Sequence, residues 1–391
     1  MDSNPIIELL GRRLRLAVIG GGPGSFIGAM HRTAARLDDR YELVAGVLSS
    51  DAGRAHAAGA ALGLDPDRVY GDPFEMLDAE ADRVDGADVV AIMTPNDSHH
   101  SYAIGALRRG FDVICDKPMT NTLDEARDVL AEVEASGRVF CLTHNYTGYP
   151  MVRQARAMVS DGQLGTIQLV QVEYVQGGKA GERDADVDGA LPWRYDPVRG
   201  GPSLVLGDIG THAHNLVRFV AGVDVAEVAA DVGHIVANRL VDDYAGAMLR
   251  FDNGARGSFW VTQAAAGVEN CLRLRVSGTE GTLEWMQETP TQLVFKPLGA
   301  PAQIRTPNGP GTLPLSARAS RIVAGHPEGF HEGFANIYSD AAEAIAARVA
   351  GVAPDPLALH FPNADDGLRG VAFVEAAVAS SADDGAWTSV E

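Results

Sequence analysis

The chain is 391 residues long and 46% hydrophobic, with a formal net charge of -20 and three lysines, Lys117, Lys179 and Lys296. That length predicts two domains with a core of ordinary size, and the acidic balance excludes nucleic-acid or anionic-membrane partners because no broad basic face is available. No apolar run reaches the roughly 18 residues of a membrane span.

The opening MDSNPIIELLGRR runs acidic, apolar, basic, the wrong order for a signal peptide. Cys115, Cys141 and Cys271 lie far apart with no CxxC pair, as expected of thiols in a reducing cytoplasm. RLRLAVIGGG then reads as an apolar strand running into glycines, and YELVAGVLSS, ADVVAIMTP, FDVICDKP and VFCLTHNY read as further strands. Between them IGAMHRTAARL, AGRAHAAGAALG, HSYAIGALRRG and LDEARDVLAEVEASG read as Ala-rich helices. Strand alternating with helix predicts right-handed βαβ units and a parallel sheet covered on both faces. The fold class is therefore α/β, a parallel-sheet domain over residues 1–148 followed by an α+β domain over 149–391.

The second region opens with helix YPMVRQARAMVSDG and strand GTIQLVQVEYVQ. The Gly/Asp-rich GGKAGERDADVDGALPWRYDPVRGGP is expected to be an ordered loop or lid. Helix THAHNLVRFVAG follows, then alternating strands AEVAADVGHIV, DDYAGAMLRFDNG, ARGSFWVTQAA, NCLRLRVSGTEG and TLEWMQE, with a hairpin at FDNGARG. Consecutive strands with tight turns predict a mostly antiparallel open sheet. KPLGAPAQIRTPNGPGTLPLSARA reads as loop, and GFANIYSDAAEAIAARVAG and ADDGLRGVAFVEAAVASSADDG close the chain.

VIGGGPGSFIGAMH sits where a dinucleotide pyrophosphate rests on N–H groups at a helix N-terminus. Ser25 stands in the third position of a simple G-x-G-x-x-G. If Pro23 to Ser25 are a three-residue insertion, Gly20, Gly22 and Gly28 take the three glycine roles and His31 follows in the helix. Ser25, Phe26 and Ile27 are then candidate cofactor contacts. The second strand ends in VLSSDAGR: Ser49, Ser50 and Arg54 suit a 2′-phosphate, whereas Asp51 suits a free ribose hydroxyl. NAD and NADP both stay open.

With GGGPGSFIGAMH, TPNDSHH, CDKP and GDIGTHAHN in this order, the chain resembles the Gfo/Idh/MocA family of sugar and cyclitol dehydrogenases. The likeness covers nearly the whole chain and implies a Rossmann domain followed by an α+β domain whose open sheet forms an oligomer interface, here a homodimer or homotetramer. The chain departs from the family in its longer glycine loop and in Asp116-Lys117-Pro118, where the family has Glu-Lys-Pro. By resemblance Thr94, Pro95, Asn96 and His99 line the nicotinamide and its ribose, and Asp116 and Lys117 border the cofactor. His100 is expected to be solvated.

Lys117 follows a parallel strand, at the carboxyl edge where open α/β sheets bind ligands. An amine there can hydrogen-bond the reacting oxygen and take part in proton transfer as Arg cannot. Asp208 and His212 lie four residues apart on one helical face, matching the family's D-x-x-x-H motif. Lys117, Asp208 and His212 are thus the catalytic candidates, with His212 as general base; helix capping is the plain alternative for Asp208. His214 is expected to be structural. Asn145, Tyr146, Tyr149, Trp193 and Arg194 are candidate contacts to a polyol, and His326, Glu328 and His331 are weaker ones for which capping is preferred. No metal is expected, because the histidine pairs lack a third ligand at suitable spacing. The leading function is an NAD(P)-dependent dehydrogenase oxidising a secondary hydroxyl of a sugar, glycoside or cyclitol. The alternatives are a glycoside hydrolase using retained NAD in a redox cycle, and a dinucleotide sensor, which would need none of the three catalytic candidates.

Overall fold

The computed structural model describes residues 4–181 and 192–391, so residues 182–191 of the predicted lid lie outside the described residues. The described chain divides into two compact units.

The first unit holds a five-stranded sheet of β1 (Leu14–Gly20), β2 (Tyr41–Val47), β3 (Val89–Met93), β4 (Asp112–Cys115) and β5 (Phe140–Leu142). Its order is β2-β1-β3-β4-β5, and every pairing is parallel. Every residue of β3 and β4 is buried, which is why these strands read as continuous apolar runs instead of alternating ones. Helices Phe26–Leu37, Ala52–Leu62, His99–Arg108 and Leu123–Ser136 stand where the Ala-rich segments predict them. A further helix, Pro73–Asp82, joins them; Asp72 caps it by accepting from the Phe74 and Glu75 N–H groups, and Pro73 sits in its first turn.

The predicted single boundary at residue 148 differs from the observed division, because residues 334–367 return to the first unit. The reason is packing. Within helix Phe330–Ala350, Tyr338 is wholly buried, its hydroxyl 2.7 Å from His31 Nδ1 and its carbonyl accepting from the Tyr41 hydroxyl at 2.7 Å. Arg348 in turn clamps the buried carboxylate of Asp112 through two bonds of 2.9 and 2.6 Å. Such a paired guanidinium is what makes a carboxylate tolerable at the start of an apolar strand.

The second unit is built on a nine-stranded sheet of β6 (Ile167–Val175), β7 (Val225–Gly233), β8 (Tyr244–Phe251), β9 (Arg256–Thr262), β10 (Cys271–Gly278), β11 (Gly281–Met286), β12 (Leu293–Pro297), β13 (Gln303–Arg305) and β14 (Thr388–Ser389). The order is β13-β12-β11-β10-β6-β9-β8-β7-β14, antiparallel throughout except for the parallel pair β6–β9. Helices Pro150–Ser160 and Thr211–Ala221 cover one face, over a core that includes Val170, Val172, Phe259, Leu272, Leu274 and Val276. Side chains alternate across a sheet, so Leu169, Trp260 and Met248 point the other way, and they are 55%, 43% and 56% exposed. The Pro/Gly-rich stretch expected to be loop carries β13 and a short helix, Pro314–Arg318. β13 forms because Ile304 pairs with Val294 of β12, a contact no local pattern announces.

Candidate active site

In the first unit the glycine loop joins β1 to helix Phe26–Leu37. Gly21 has φ 66°, and a Cβ there would lie 2.1 Å from the Met93 sulfur; a Cβ on Gly28 would lie 2.1 Å from the Gly21 carbonyl oxygen. Gly28 therefore takes the close-packing role expected of the third glycine. A Cβ on Gly22 would lie 2.2 Å from the Leu48 carbonyl, so the turn is drawn tightly over the ends of β2 and β3. Ser25 caps the helix by accepting from the Gly28 N–H at 3.2 Å. Ile27 is half-buried and Phe26 exposed. A bare backbone turn leading into a helix N-terminus fits a dinucleotide pyrophosphate. Arg32, which the sequence reading passed over, donates to the Gly21 carbonyl from beneath the loop.

Past β2, Ser49 Oγ accepts from the Asp51 N–H at 3.1 Å, and Asp51 caps helix Ala52–Leu62 through the Arg54 N–H at 2.8 Å. The Arg54 guanidinium lies 3.8 Å from the same carboxylate, and Ser50 and Arg54 are exposed. Past β3, Thr94 and Pro95 are half-buried and Asn96 is buried. His99 is fully buried, with Nδ1 2.8 Å from the Pro118 carbonyl and Nε2 3.0 Å from the Thr94 carbonyl. It therefore ties the Thr94 turn to the Lys117 turn. His100 faces Asp128 at 3.5 Å. Past β4, Asp116 accepts from the Lys117 N–H at 3.0 Å and from the Thr143 hydroxyl at 2.9 Å. Its carboxylate thus shapes the turn carrying Lys117, whose side chain is half-buried, and the Lys117–Pro118 peptide is cis.

In the second unit Asp208 lies within a π-helical turn, Leu206–Gly210, that runs directly into helix Thr211–Ala221 carrying His212. Such turns recur at functional sites. Gly210 occupies the cap position of the helix, so capping is not the task of Asp208. Its Oδ2 accepts from Lys179 Nζ at 3.1 Å and from Gln263 Nε2 at 2.8 Å. His212 is 8% exposed and meets the rings of Tyr146 and Tyr174 at centroid separations of 4.9 and 6.4 Å. His214 stacks on Phe373 at 4.6 Å, and burial holds its pKa down at about 3, a neutral packing residue.

Tyr146 is buried, its hydroxyl 2.5 Å from that of Tyr174. Burial raises the pKa of both phenols, and the charge of Asp208 adds to the rise. Tyr146 thus presents its ring to His212 and its hydroxyl to the core. Asn145 and Tyr149 are also buried. The Arg194 guanidinium lies 4.3 Å over the half-buried Trp193 ring. Glu328 accepts from the Arg321 N–H and orders its own loop, whereas His326 and His331 are exposed. Among the described residues no group of three or more His, Cys, Asp or Glu is placed to hold a metal. The sequence reading missed Tyr174, Gln176, Lys179, Gln263 and Asn270. Lys179 stood out as one of three lysines, but what surrounds it depends on strand pairing.

Residues 14–144 match an oxidoreductase family with an NAD-binding Rossmann fold, and residues 152–284 match the GFO/IDH/MocA C-terminal domain. The chain is 33% identical over 383 residues to the uncharacterized oxidoreductase YfiI of Bacillus subtilis, covering 97% of this chain and 98% of that one. Among solved structures, an oxidoreductase from Sinorhizobium meliloti is 48% identical with a TM-score of 0.87, covering 96% of this chain and 99% of its own. An inositol dehydrogenase homolog from Azotobacter vinelandii, complexed with NADH and myo-inositol, is 34% identical with a TM-score of 0.88, covering 97% and 98%.

Proposed function

The chain belongs to the Gfo/Idh/MocA oxidoreductase family, and on that premise we propose that it is an NAD-dependent dehydrogenase oxidising a secondary hydroxyl of a sugar, glycoside or cyclitol. The observation that carries this reading is the π-turn that sets a charge-paired Asp208 one helical turn from His212. The glycine cradle and the A. vinelandii relative's NADH support the cofactor, and that relative's myo-inositol supports a polyol. Hydrolysis with retained cofactor is not favoured, since the relatives are oxidoreductases.

NAD, held over the glycine loop at Gly21, Gly22 and Ser25, would supply the acceptor for the hydride of the carbinol carbon. His212 accepts the hydroxyl proton at a ring nitrogen as general base. Lys117 donates from Nζ to the same oxygen and stabilises its developing negative charge. Asp208, fixed through Oδ2, holds the field around His212 and accepts from a neighbouring substrate hydroxyl. Thr94, Pro95, Asn96 and Ser25 to Ile27 border the cofactor, with His99 bracing the turn. Trp193 and Arg194 contact the polyol, the indole covering a C–H face. The exposed sheet face of Leu169, Met248 and Trp260 supports a homodimer or homotetramer, and the buried free thiols of Cys115 and Cys141 support a cytoplasmic setting.

Inositols, aldoses and glycosides are screened with NAD and NADP separately, following absorbance of the reduced cofactor. Turnover of a polyol by the wild type, lost in K117M while NADH binding persists, is the expected result. Sugar release from an aryl glycoside without net NADH, or full activity in K117M, would overturn it.

A further inference from the structure

Lys179 is one of three lysines in the chain, and its side chain is 15% exposed. Its Nζ donates to Asp208 Oδ2 at 3.1 Å and to Gln263 Oε1 at 3.0 Å, and stands 5.9 Å from the centre of the Tyr195 ring. An ammonium has three donors and no acceptor, so the second contact settles which end of the Gln263 amide faces it. The Gln263 Nε2 must then donate outward, and it does so to Asp208 Oδ2 at 2.8 Å and to Gln176 Oε1 at 3.1 Å. The same logic carries on. Gln176 Nε2 donates to Asn270 Oδ1 at 2.5 Å and to the Tyr174 hydroxyl at 3.3 Å. Asn270 Nδ2 then faces the Tyr146 hydroxyl at 3.5 Å, and Tyr174 donates to Asn270 Oδ1 at 3.0 Å. One proton arrangement satisfies every contact, with Tyr146 donating to Tyr174.

The series begins at a cation whose donors cannot be reversed and ends at the phenol whose ring edge rests on His212. Reversing any amide along it would set donor against donor. Without the ammonium, Gln263 loses the donor that meets its oxygen and Asp208 loses one of the two bonds that hold Oδ2, together with the positive charge paired with it.

We propose that Lys179 is a positioning residue: with Gln263 it fixes the Asp208 carboxylate, and through the one-way hydrogen-bond series it fixes Tyr146 against His212. Its effect on turnover rests on the dehydrogenase reading; its effect on the histidine does not. Among the described residues, Tyr146 from the turn Asn145–Gly148 and Tyr174 from β6 meet the His212 ring, while Asp208 stands four residues before it in the π-turn and pairs with Lys179. Removing that cation takes a positive neighbour away from Asp208, and a carboxylate favours the charged imidazolium.

The full-length protein is compared as wild type, K179M and K179R by NMR titration of the His212 imidazole, by NADH binding through fluorescence, and by steady-state kinetics. K179M is expected to move the His212 midpoint up by about half a pH unit or more, and K179R to bring it back. NADH affinity stays within about twofold, while kcat with the best polyol of the screen falls about ten- to a hundredfold and KM changes less. Should K179M fail to fold, K179Q removes the charge with less change of shape and takes the same measurements. A folded K179M or K179Q whose His212 titrates as in the wild type overturns the proposal. A shifted titration in a protein whose wild type oxidises no polyol retains the Lys179 assignment and rejects the dehydrogenase reading instead.

Discussion

The ring of Tyr146 meets the imidazole of His212 edge-on, with centroids 4.9 Å apart and planes at 77°. Ring and hydroxyl have separate tasks, because the hydroxyl points to Tyr174 and Asn270. Y146F keeps the ring and strands the partners of the hydroxyl, at a cost of about 1–3 kcal/mol. Y146A also opens a cavity beside His212 and is expected to cost about 3–5 kcal/mol. Thermal unfolding with steady-state kinetics separates the two. Y146F, which keeps the ring but cuts it from the hydrogen-bond series, should lower kcat less than Y146A does, so equal loss in both would place the hydroxyl itself in the chemistry.

Gly28 admits no side chain, since its Cβ would lie 2.1 Å from the Gly21 carbonyl oxygen. G28A must therefore push helix Phe26–Leu37 away from the loop, at about 1–3 kcal/mol. NADH affinity, measured by fluorescence titration, should fall at least tenfold. G24A probes a loop glycine that has open space around its Cβ position but a φ of 89°; its cost is backbone strain of about 1 kcal/mol. It should weaken NADH binding less than G28A does, and the reverse order would refute the close-packing role.

His31 makes the first unit acid-sensitive. Burial holds its pKa down at about 4, against 6.5 for the free side chain, and its ring is wedged against Phe334 and Tyr338. The unfolded chain takes up a proton at this site below about pH 6.5, whereas the folded protein resists until about pH 4. Stability from this site is therefore complete above pH 6.5 and declines as pH falls toward 4, by on the order of 3 kcal/mol. H31F removes that slope while losing the contact to the Tyr338 hydroxyl. Urea unfolding at pH 7.5 and 5 should show the gap between wild type and H31F narrowing in acid; a constant gap would exclude His31 as the source.

The uncovered sheet face gives the assembly test. Trp260 stands opposite Glu173 of β6, and Met248 opposite Ser258 of β9. Around them run charged ladders, among them Arg275 with Glu284 at 2.8 Å and Arg250 with Glu227 at 2.9 Å. Apolar residues within a charged frame make a surface suited to a second copy of itself. In light scattering after gel filtration, M248E combined with W260E should yield monomers from an assembled wild type. Unchanged mass in a folded variant would remove this face from the interface.

Local pattern carried the first unit. Buried parallel strands announce themselves as apolar runs, and glycines before a helix announce a turn. Helix Pro73–Asp82 had its marks too, Asp72 and Pro73 at its start, but its mixed composition hid them. What was not legible depends on distant pairing. β6 meets β9 in parallel, bringing Gln176 at the end of one strand to Gln263 at the end of the other, across 87 residues. The motif spacing named Asp208 and His212; the side chains that hold them in place come from strand ends and a loop that share no periodicity with the motif.

Residues 334–367 complete a unit whose other parts end at Asn145, and residues 368–391 belong again to the second unit, so the chain passes between the two units more than once. During synthesis the parallel sheet emerges long before Tyr338 and Arg348, and until then the Asp112 carboxylate lies at the foot of β4 without its guanidinium. Ribosome-bound nascent chains stopped before residue 334 should therefore carry a loose, protease-sensitive nucleotide-binding half, which tightens once the last 58 or so residues have left the exit tunnel.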